Sequence, residues 1–285
     1  MGAASQSYRE RLPVPGLREY VTCVWVKEVG AQSTPYLYRT VPNGSAELVC
    51  VFGSAPKIVG PQTRPTEELV APGTIAVGLR FRPGAAQAAL AAPASEFLDQ
   101  EIPADEVWGR LAVAIAERVV AAPSPQAALA LLESAVSDRV DAHAAAVDGL
   151  AIEAAHRLRD ASHNGVPTLA SSLGISERQL RRRCERATGL GPKTLQRMFR
   201  FQRFLALAGA DTAARPSLAR LARDAGYSDQ SHLSRESVRL AGRPPAQVLS
   251  DAAEDCRDSH DHTASYLPFL ASALRYARFL RETSA

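Results

Sequence analysis

Cysteine is scarce in this 285-residue sequence, which contains only Cys23, Cys50, Cys184 and Cys256. The four lie far apart, and no pair has the Cys-x-x-Cys spacing of zinc sites and redox motifs. So few scattered cysteines argue against the disulfide framework that stabilises small secreted domains. We therefore expect a reducing, cytoplasmic location with neither a disulfide framework nor a zinc site.

Signals for membrane insertion and for enzymatic chemistry are also missing. Met1–Glu10 has no basic-then-apolar signal pattern, and no apolar run is long enough to span a bilayer. No histidine precedes His143, so the first half lacks the imidazole ligands of metal-dependent barrel enzymes. Gly-x-Ser-x-Gly, P-loop and Gly-x-Gly-x-x-Gly patterns do not occur. The sequence predicts no catalysis, no cofactor, no metal and no membrane contact.

Positive charge is concentrated in one part of the chain. The whole sequence has a formal net charge of +3, but residues 148–251 carry 17 Lys and Arg against 10 Asp and Glu. The flanking segments are net negative. A basic region attached to a region that is not basic is typical of a nucleic-acid-binding domain joined to another module.

The basic region contains the same pattern twice. A short apolar helix, a turn with Gly and Ser, and a longer polar helix that ends at Gly are predicted near 167–189 and again near 216–242. Both closing glycines are followed by proline within three residues. Two helices joined by a short Gly-containing turn form a helix-turn-helix unit, whose second helix can enter the DNA major groove. Recognition helices are expected near residues 176–188 and 229–241.

The predicted recognition helices are amphipathic. In the first recognition helix, one face contains Leu180, Cys184 and Ala187. The remaining surface of that helix contains the five arginines between Arg178 and Arg186. Such a run is also compatible with a solvated helix surface. We favour DNA binding, because guanidinium groups pair with phosphates and bind guanine O6 and N7 bidentately.

Short β-strands are predicted in the first third of the chain and helices after them. The strands are Tyr20–Lys27, Glu47–Phe52, Lys57–Val59 and Thr74–Phe81, and the helices are Gly84–Ala92, Pro103–Ala121 and Ser124–Val140. This order predicts an α+β chain with a small N-terminal β-barrel or sandwich, followed by a helical hairpin. The hairpin either packs on the barrel or forms a dimer interface.

Several segments resemble the AraC/XylS class of bacterial transcription regulators. They are Gly174-Ile-Ser-Glu-Arg-Gln-Leu-Arg-Arg, Gly189-Leu-Gly-Pro-Lys, Ala225-Gly-Tyr-Ser-Asp-Gln-Ser-His-Leu-Ser-Arg and Gly242-Arg-Pro-Pro. Val41-Pro-Asn-Gly-Ser-Ala-Glu-Leu-Val and Gly78-Leu-Arg-Phe-Arg-Pro-Gly-Ala resemble the cupin-like domain of such regulators. The resemblance implies two helix-turn-helix subdomains joined by a linker helix near Gly191–Ala210. Ser237 occupies a position that is usually a core aromatic in this class, so lighter packing is expected there.

The resemblance implies a cupin-like sensing or dimerisation domain over residues 1–142 and an AraC-type DNA-binding domain over 148–251. Composition and apolar spacing predict an acidic linker with a C-terminal helix over 252–285, which the family pattern does not require. DNA base contacts are expected from Arg178, Gln179, Arg181, Arg182, Gln230, Ser231, His232 and Arg235. Phosphate contacts are expected from Arg183, Arg186, Lys193, Arg197, Arg239 and Arg243. The expected partners are double-stranded DNA, a second copy of the chain, a small effector and RNA polymerase.

Two further features have open interpretations. Arg80 and Arg82 lie on one side of a predicted strand and, with Trp25, are candidates for binding an anionic effector, but they are also compatible with exposed arginines or with ion pairs to Glu47, Glu67 or Glu68. His260 and His262 flank an aspartate in a segment predicted to be a solvated linker rather than a metal site. The alternative functions are a ligand-independent regulator and a module that binds another transcription factor.

Overall fold

The computed structural model describes residues 6–160, 165–210, 217–256 and 260–271. The strands are β1 (Gln6–Arg11), β2 (Val21–Val29), β3 (Tyr36–Thr40), β4 (Glu47–Val51), β5 (Lys57–Val59), β6 (Thr66–Val70), β7 (Ile75–Phe81), β8 (Glu101–Pro103) and β9 (His260–Asp261). The helices are α1 (Gln87–Leu90), α2 (Ala104–Trp108), α3 (Arg110–Val120), α4 (Pro125–His143), α5 (Gly149–Leu158), α6 (Val166–Ser172), α7 (Glu177–Thr188), α8 (Pro192–Ala210), α9 (Leu218–Ala225), α10 (Gln230–Ala241) and α11 (Pro245–Cys256). Residues 263–271 are also helical.

The N-terminal strands form a sheet-rich domain, as predicted, but the sheet is open and does not close into a barrel. Seven strands pair in the order β8-β5-β4-β7-β2-β1-β9, and β3 and β6 form a separate two-stranded ribbon. In the described part of the chain, the two edge strands of the large sheet do not pair with each other. The ribbon strands and β1 were not predicted, because Tyr-Leu-Tyr-Arg-Thr, Thr-Glu-Glu-Leu-Val and Gln-Ser-Tyr-Arg-Glu-Arg are too polar to stand out as strands.

One face of the sheet is covered by helices and forms the larger hydrophobic core. Helix α4 packs against β2 and β7, and α3 packs against α4. Ile115 and Val119 of α3 and Leu132 and Val136 of α4 are buried there. The predicted helix over Pro103–Ala121 is in fact two helices, α2 and α3, which are separated at Gly109.

A second core holds the helical region together around α8. Leu195, Met198, Phe201 and Phe204 of that helix are buried among side chains of α5, α6, α7, α9 and α10. Side-chain caps fix the starts of the surrounding helices: Asp148 for α5, Ser176 for α7, Ser217 for α9 and Asp229 for α10. Such caps satisfy backbone N–H groups that have no partner within the helix.

The two regions are in direct contact. The backbone at Gly44 lies against Leu195 and Phe199 of α8, and Gln202 donates to the Pro42 carbonyl at 3.1 Å. Leu98 packs against the end of α7 at Gly189. The Pro-Asn-Gly turn of the N-terminal region therefore buttresses the linker helix.

The C-terminal segment is not a solvated linker where it is described. Helix α11 continues to Cys256, and β9 pairs in parallel with β1. His262 stacks on Tyr8 with ring centroids 4.9 Å apart, and Phe269 lies 6.1 Å from Phe199 of α8. This segment therefore connects the sheet to the linker helix. The rest of the helix predicted over Tyr266–Arg281 lies outside the described residues.

Candidate nucleic-acid interface

The two helix-turn-helix units have the same turn. In the first, the Ile175 N–H donates to the Ala170 carbonyl at 3.1 Å, and in the second the Tyr227 N–H donates to the Ala222 carbonyl at 2.9 Å. Gly174 and Gly226 adopt positive φ angles of 67° and 89° in these turns, a conformation that glycine tolerates best. The repeat seen in the sequence is therefore a repeat of backbone geometry.

Each recognition helix is anchored by one buried face and closed in the same way at its end. Leu180 and Cys184 of α7, and Leu233 and Leu240 of α10, are buried. Gly189 and Gly242 end the two helices in the left-handed conformation. The opposite face of each helix is left exposed, so the unit presents that face as a rigid surface.

On α7 the exposed face is mainly arginine. Arg178, Arg181 and Arg182 are exposed, and Arg181 donates to Glu185 at 2.8 Å in a solvated i,i+4 pair. Gln179 is exposed too, but its side-chain oxygen accepts from the Ser176 N–H at 2.9 Å in a capping box. A side chain used in the cap must leave it before it can bind a base edge, which sets Gln179 apart from the arginines.

On α10 the exposed face is less basic. Gln230, Ser231 and Arg235 are exposed near the start of the helix. His232 is half-buried, 3.2 Å from the Ser228 hydroxyl and in an edge contact with Tyr227. The structure thus places His232 in the turn and the other three on the outer face.

The phosphate candidates divide into two groups. Arg186, Lys193 and Arg239 are exposed. Arg183 pairs with Asp148 at 2.6 Å, Arg197 pairs with Glu236 at 2.7 Å, and Arg243 bridges Asp251 and Glu67. The second group joins structural elements: Arg197 links α8 to α10, and Arg243 links the end of α10 to strand β6.

Arg203 of α8 is a structural residue that the sequence pattern did not single out. It is 2% exposed, and its guanidinium donates to the Ala225 carbonyl at the end of α9 and to the Arg159 carbonyl after α5. A cation at two helix C-termini interacts favourably with both helix dipoles. The sequence offers one signal for this role. Arg203 lies four residues after Phe199 and next to Phe204, on the buried side of an amphipathic helix.

Ser237 is buried but does not leave an unsatisfied hydroxyl. Its side chain is 0% exposed, and its Oγ donates to the Arg243 carbonyl at 2.7 Å. The bond ties the third turn of α10 to the chain that follows Gly242. A hydrogen bond therefore stabilises a position that would otherwise be filled by an aromatic ring.

The effector candidates are only partly brought together. Arg80 is half-buried, donates to Glu47 at 2.7 Å and lies 3.3 Å from Glu10, while Trp25 donates to the other oxygen of Glu47 at 3.0 Å. Burial alone would lower the pKa of Arg80, but Glu47, Glu10 and the neighbouring groups hold it well above its usual value. Arg82 lies beyond the end of β7 and donates to the Arg18 carbonyl at 2.6 Å. Arg80 is thus engaged in ion pairs, and Arg82 lies apart from it.

Glu10 is a second centre of this buried polar cluster that the sequence pattern did not reveal. It accepts from the Tyr8 hydroxyl at 2.9 Å and from the Ser265 N–H at 2.8 Å, and His262 lies 3.8 Å away. Burial would raise the pKa of Glu10, but His262, Arg80 and Ser265 together lower it to about 2. Glu10 therefore stays ionised as a carboxylate, and the cluster around it joins β1 to the C-terminal segment.

Close packing fixes the rest of this face of the sheet. A Cβ on Gly78 would lie 2.4 Å from the Trp25 ring, so only glycine lets that ring lie flat on β7. The ammonium of Lys27 lies 3.2 Å from the centre of the Tyr38 ring, a cation–π contact.

Within the described residues, no group of three metal-ligating side chains occurs, and no helix has the length and apolar character of a membrane span.

Two family models match the sequence. One, described as a helix-turn-helix domain, matches residues 169–251, and the other, a domain of unknown function named DUF6597, matches residues 9–103. No curated protein matches. Among solved structures, ToxT from Vibrio cholerae is similar at 12% identity and a TM-score of 0.43, with 86% of this chain and 98% of ToxT covered. Wild-type ToxT with an unsaturated fatty acid bound is similar at 12% identity and a TM-score of 0.44, with 76% and 92% covered. Likenesses at this level carry no conclusion about ligand or operator.

The repeated, capped helix-turn-helix on one shared helix defines the class of protein as a two-domain helix-turn-helix DNA-binding protein. This class is narrowed by three features: the second recognition helix, the linker helix and the sheet domain that precedes them. Residues 169–251 thus form an AraC-type helix-turn-helix DNA-binding domain, and it follows an N-terminal region that matches DUF6597 over residues 9–103.

Proposed function

We propose that the protein regulates transcription by binding one specific DNA sequence with both recognition helices, α7 and α10, in successive major grooves. The observation that carries the proposal is the duplicated geometry: two identical turns, two capped recognition helices, and one helix, α8, that packs against both units. A shared rigid helix keeps the two exposed faces in a fixed relation, as contact with two consecutive grooves requires.

Base contacts are assigned to the exposed side chains of the outer faces. These are Arg178, Arg181 and Arg182 on α7, and Gln230, Ser231 and Arg235 on α10. Exposed Arg186, Lys193 and Arg239 are suited to phosphates, which position a protein on DNA and make its affinity salt-dependent. Arg183, Arg197 and Arg243 would reach phosphates only by exchanging their present carboxylate partners.

The N-terminal domain is proposed to mediate dimerisation, effector sensing or both, with RNA polymerase as a further partner. The turn at Gly44 packs against α8, and Gln202 of α8 donates to the Pro42 carbonyl of the N-terminal domain. A change in the sheet domain would therefore be transmitted to the helix that orients both recognition helices. We propose a cytoplasmic location, because the DNA that the protein would bind lies there.

A ligand-independent regulator is the second candidate, and the ion pairs of Arg80 favour it. Glu47 and Glu10 already neutralise the cation that would attract an anionic effector. A thermal-shift screen against a metabolite panel separates the two candidates, because a ligand that binds only the folded protein raises its melting temperature. No rise with any member of the panel would support ligand-independent action.

Genomic-fragment selection with the purified protein, followed by footprinting at two salt concentrations, tests the DNA-binding proposal. A discrete footprint of about two helical turns for each subunit is expected. Arg182→Ala should weaken binding to the selected site by about ten-fold or more and binding to random DNA far less, since a bidentate base contact contributes about 1–3 kcal/mol of discrimination. Equal losses on both DNAs would refute the base contact, and binding without any sequence preference would refute the proposed function.

A further inference from the structure

The outer face of α10 contains an exposed apolar side chain, Val238, beside two polar positions. Val238 is 52% exposed, with the N-terminal domain in place. At about 100° per residue, it falls on the same narrow stripe as Ser231 and Arg235. The buried residues Leu233 and Leu240 lie on the opposite side of the helix. Val238 is therefore directed where the proposed DNA would lie.

An isolated exposed valine is common on protein surfaces and by itself means little. The position of Val238 becomes informative when α7 and α10 are aligned on their N-caps, Ser176 and Asp229. Arg182 and Arg235 then occupy equivalent positions at the centre of the stripe. Val238 is equivalent to Glu185, which is paired with Arg181 at 2.8 Å.

The first position of the stripe differs as well. Arg178 of α7 is equivalent to Ser231 of α10, and both are exposed. The stripe of α7 therefore presents two arginines and a charged pair, whereas that of α10 presents one arginine between a hydroxyl and an isopropyl group. Two helices with the same backbone frame thus offer different chemistry to the groove.

Base edges in the major groove offer one apolar group, the C5-methyl of thymine. A valine cannot hydrogen-bond to a base, and it leaves a polar edge without a partner when it covers one. Contact with a thymine methyl buries apolar surface on both sides. A guanine, in contrast, is matched by the arginines that dominate α7.

We infer that Val238 is a specificity-determining residue that selects thymine in the half of the operator contacted by α10, so that the operator has a guanine-requiring half and a thymine-requiring half. The inference rests on the proposed function and names the DNA sequence class for the same two helices. Val238, which is 52% exposed in the free protein, then gains an apolar contact in the complex.

The test uses the duplex that wild-type protein selects from a random-sequence library. Footprints with Arg182→Ala and Arg235→Ala show which half belongs to which helix. Each thymine is then replaced singly by deoxyuridine, which keeps every hydrogen-bonding group and removes only the methyl. In the α10 half, one replacement should weaken wild-type binding by about four-fold, the value of roughly one buried methyl-sized group.

Val238→Ala should bind the thymine duplex about four-fold more weakly than wild type does and should not distinguish the uracil duplex from it. The matched control is Val14→Ala, an exposed valine (43%) of the N-terminal domain, which should keep the full sensitivity to uracil. If every uracil duplex binds wild type equally well, or if Val238→Ala remains sensitive, the inference is refuted while sequence-specific binding stands. If the selection returns no preferred sequence, the proposed function fails first.

Discussion

Replacing Glu10 with glutamine should make the stability of the protein less dependent on acid pH. Glu10 has a side chain with 0% exposure and accepts from Tyr8 and from the Ser265 N–H, with Arg80 and His262 close by. Burial raises the pKa of this carboxyl, but the neighbouring groups lower it from 4.5 to about 2. Each pKa unit corresponds to about 1.4 kcal/mol, so the ionised side chain contributes about 3 kcal/mol to the free energy of unfolding.

The sign follows from proton uptake. Above about pH 5 the carboxyl is ionised in the folded and in the unfolded chain, and its full contribution is present. As the pH falls from about 4.5 to about 2, the unfolded chain binds a proton that the folded chain does not, so the contribution is lost. The glutamine variant has no such proton to bind and should lack this part of the pH dependence.

Urea unfolding at several pH values, followed by far-UV circular dichroism, measures the difference. Glu10→Gln should be less stable than wild type by about 3 kcal/mol near neutral pH, and the gap should narrow towards zero as the pH approaches about 2. Glu117→Gln, which changes an exposed glutamate of α3, is the control and should show no such narrowing. A gap for Glu10→Gln that stays constant with pH would refute the assignment of the low pKa to this cluster.

Three further substitutions test the packing of both domains. Ser237→Ala removes the buried hydrogen bond to the Arg243 carbonyl and should lower the free energy of unfolding by about 1–2 kcal/mol; an unchanged urea midpoint would contradict that. Burial lowers the pKa of Lys27 to about 8, so wild-type stability should rise between about pH 8 and pH 10.5, where the unfolded chain binds more protons. Lys27→Met should therefore be more stable than wild type at pH 7, with a gap that closes over that pH range in urea unfolding, and a loss of stability at pH 7 would show that the cation–π contact with Tyr38 outweighs desolvation. The Tyr227 hydroxyl is buried without a hydrogen-bond partner in the described part of the chain, so Tyr227→Phe should leave the thermal midpoint unchanged or raise it, and a drop of several degrees would reveal a missed partner.

The helical domain was predictable because its constraints are local. Ser176 and Asp229 as N-caps, Gly189 and Gly242 as helix ends, and the Gly in each turn specify the backbone within a few residues of themselves. Apolar spacing then determines which face of each helix is buried. The exposed positions of Arg178, Arg182 and Arg235 follow from the same spacing, without knowledge of the tertiary contacts.

The sheet domain was less predictable, because strand pairing joins residues that are distant in sequence. The sequence predicts a barrel or sandwich, but the structure has an open sheet. In its strand order, β7 lies between β4 and β2, and β9 comes from the other end of the chain. No local pattern indicates that His260 pairs with Tyr8 across the whole sequence. For the same reason, the polar composition of the C-terminal segment predicts a solvated linker, whereas β9 in that segment pairs with β1.

The sequence by itself determined the two recognition helices, where they start and end, and which arginines they expose, since capping, glycine turns and 3.6-residue periodicity act within one or two turns. Only the tertiary structure decided which charged side chains are already paired. Arg80 with Glu47 and Glu10, Arg197 with Glu236, and Arg243 with Glu67 meet only after the chain has folded. An ion pair depends on a separation of a few ångströms between side chains, and this distance depends on how sheets and helices pack together rather than on the spacing of residues along the chain.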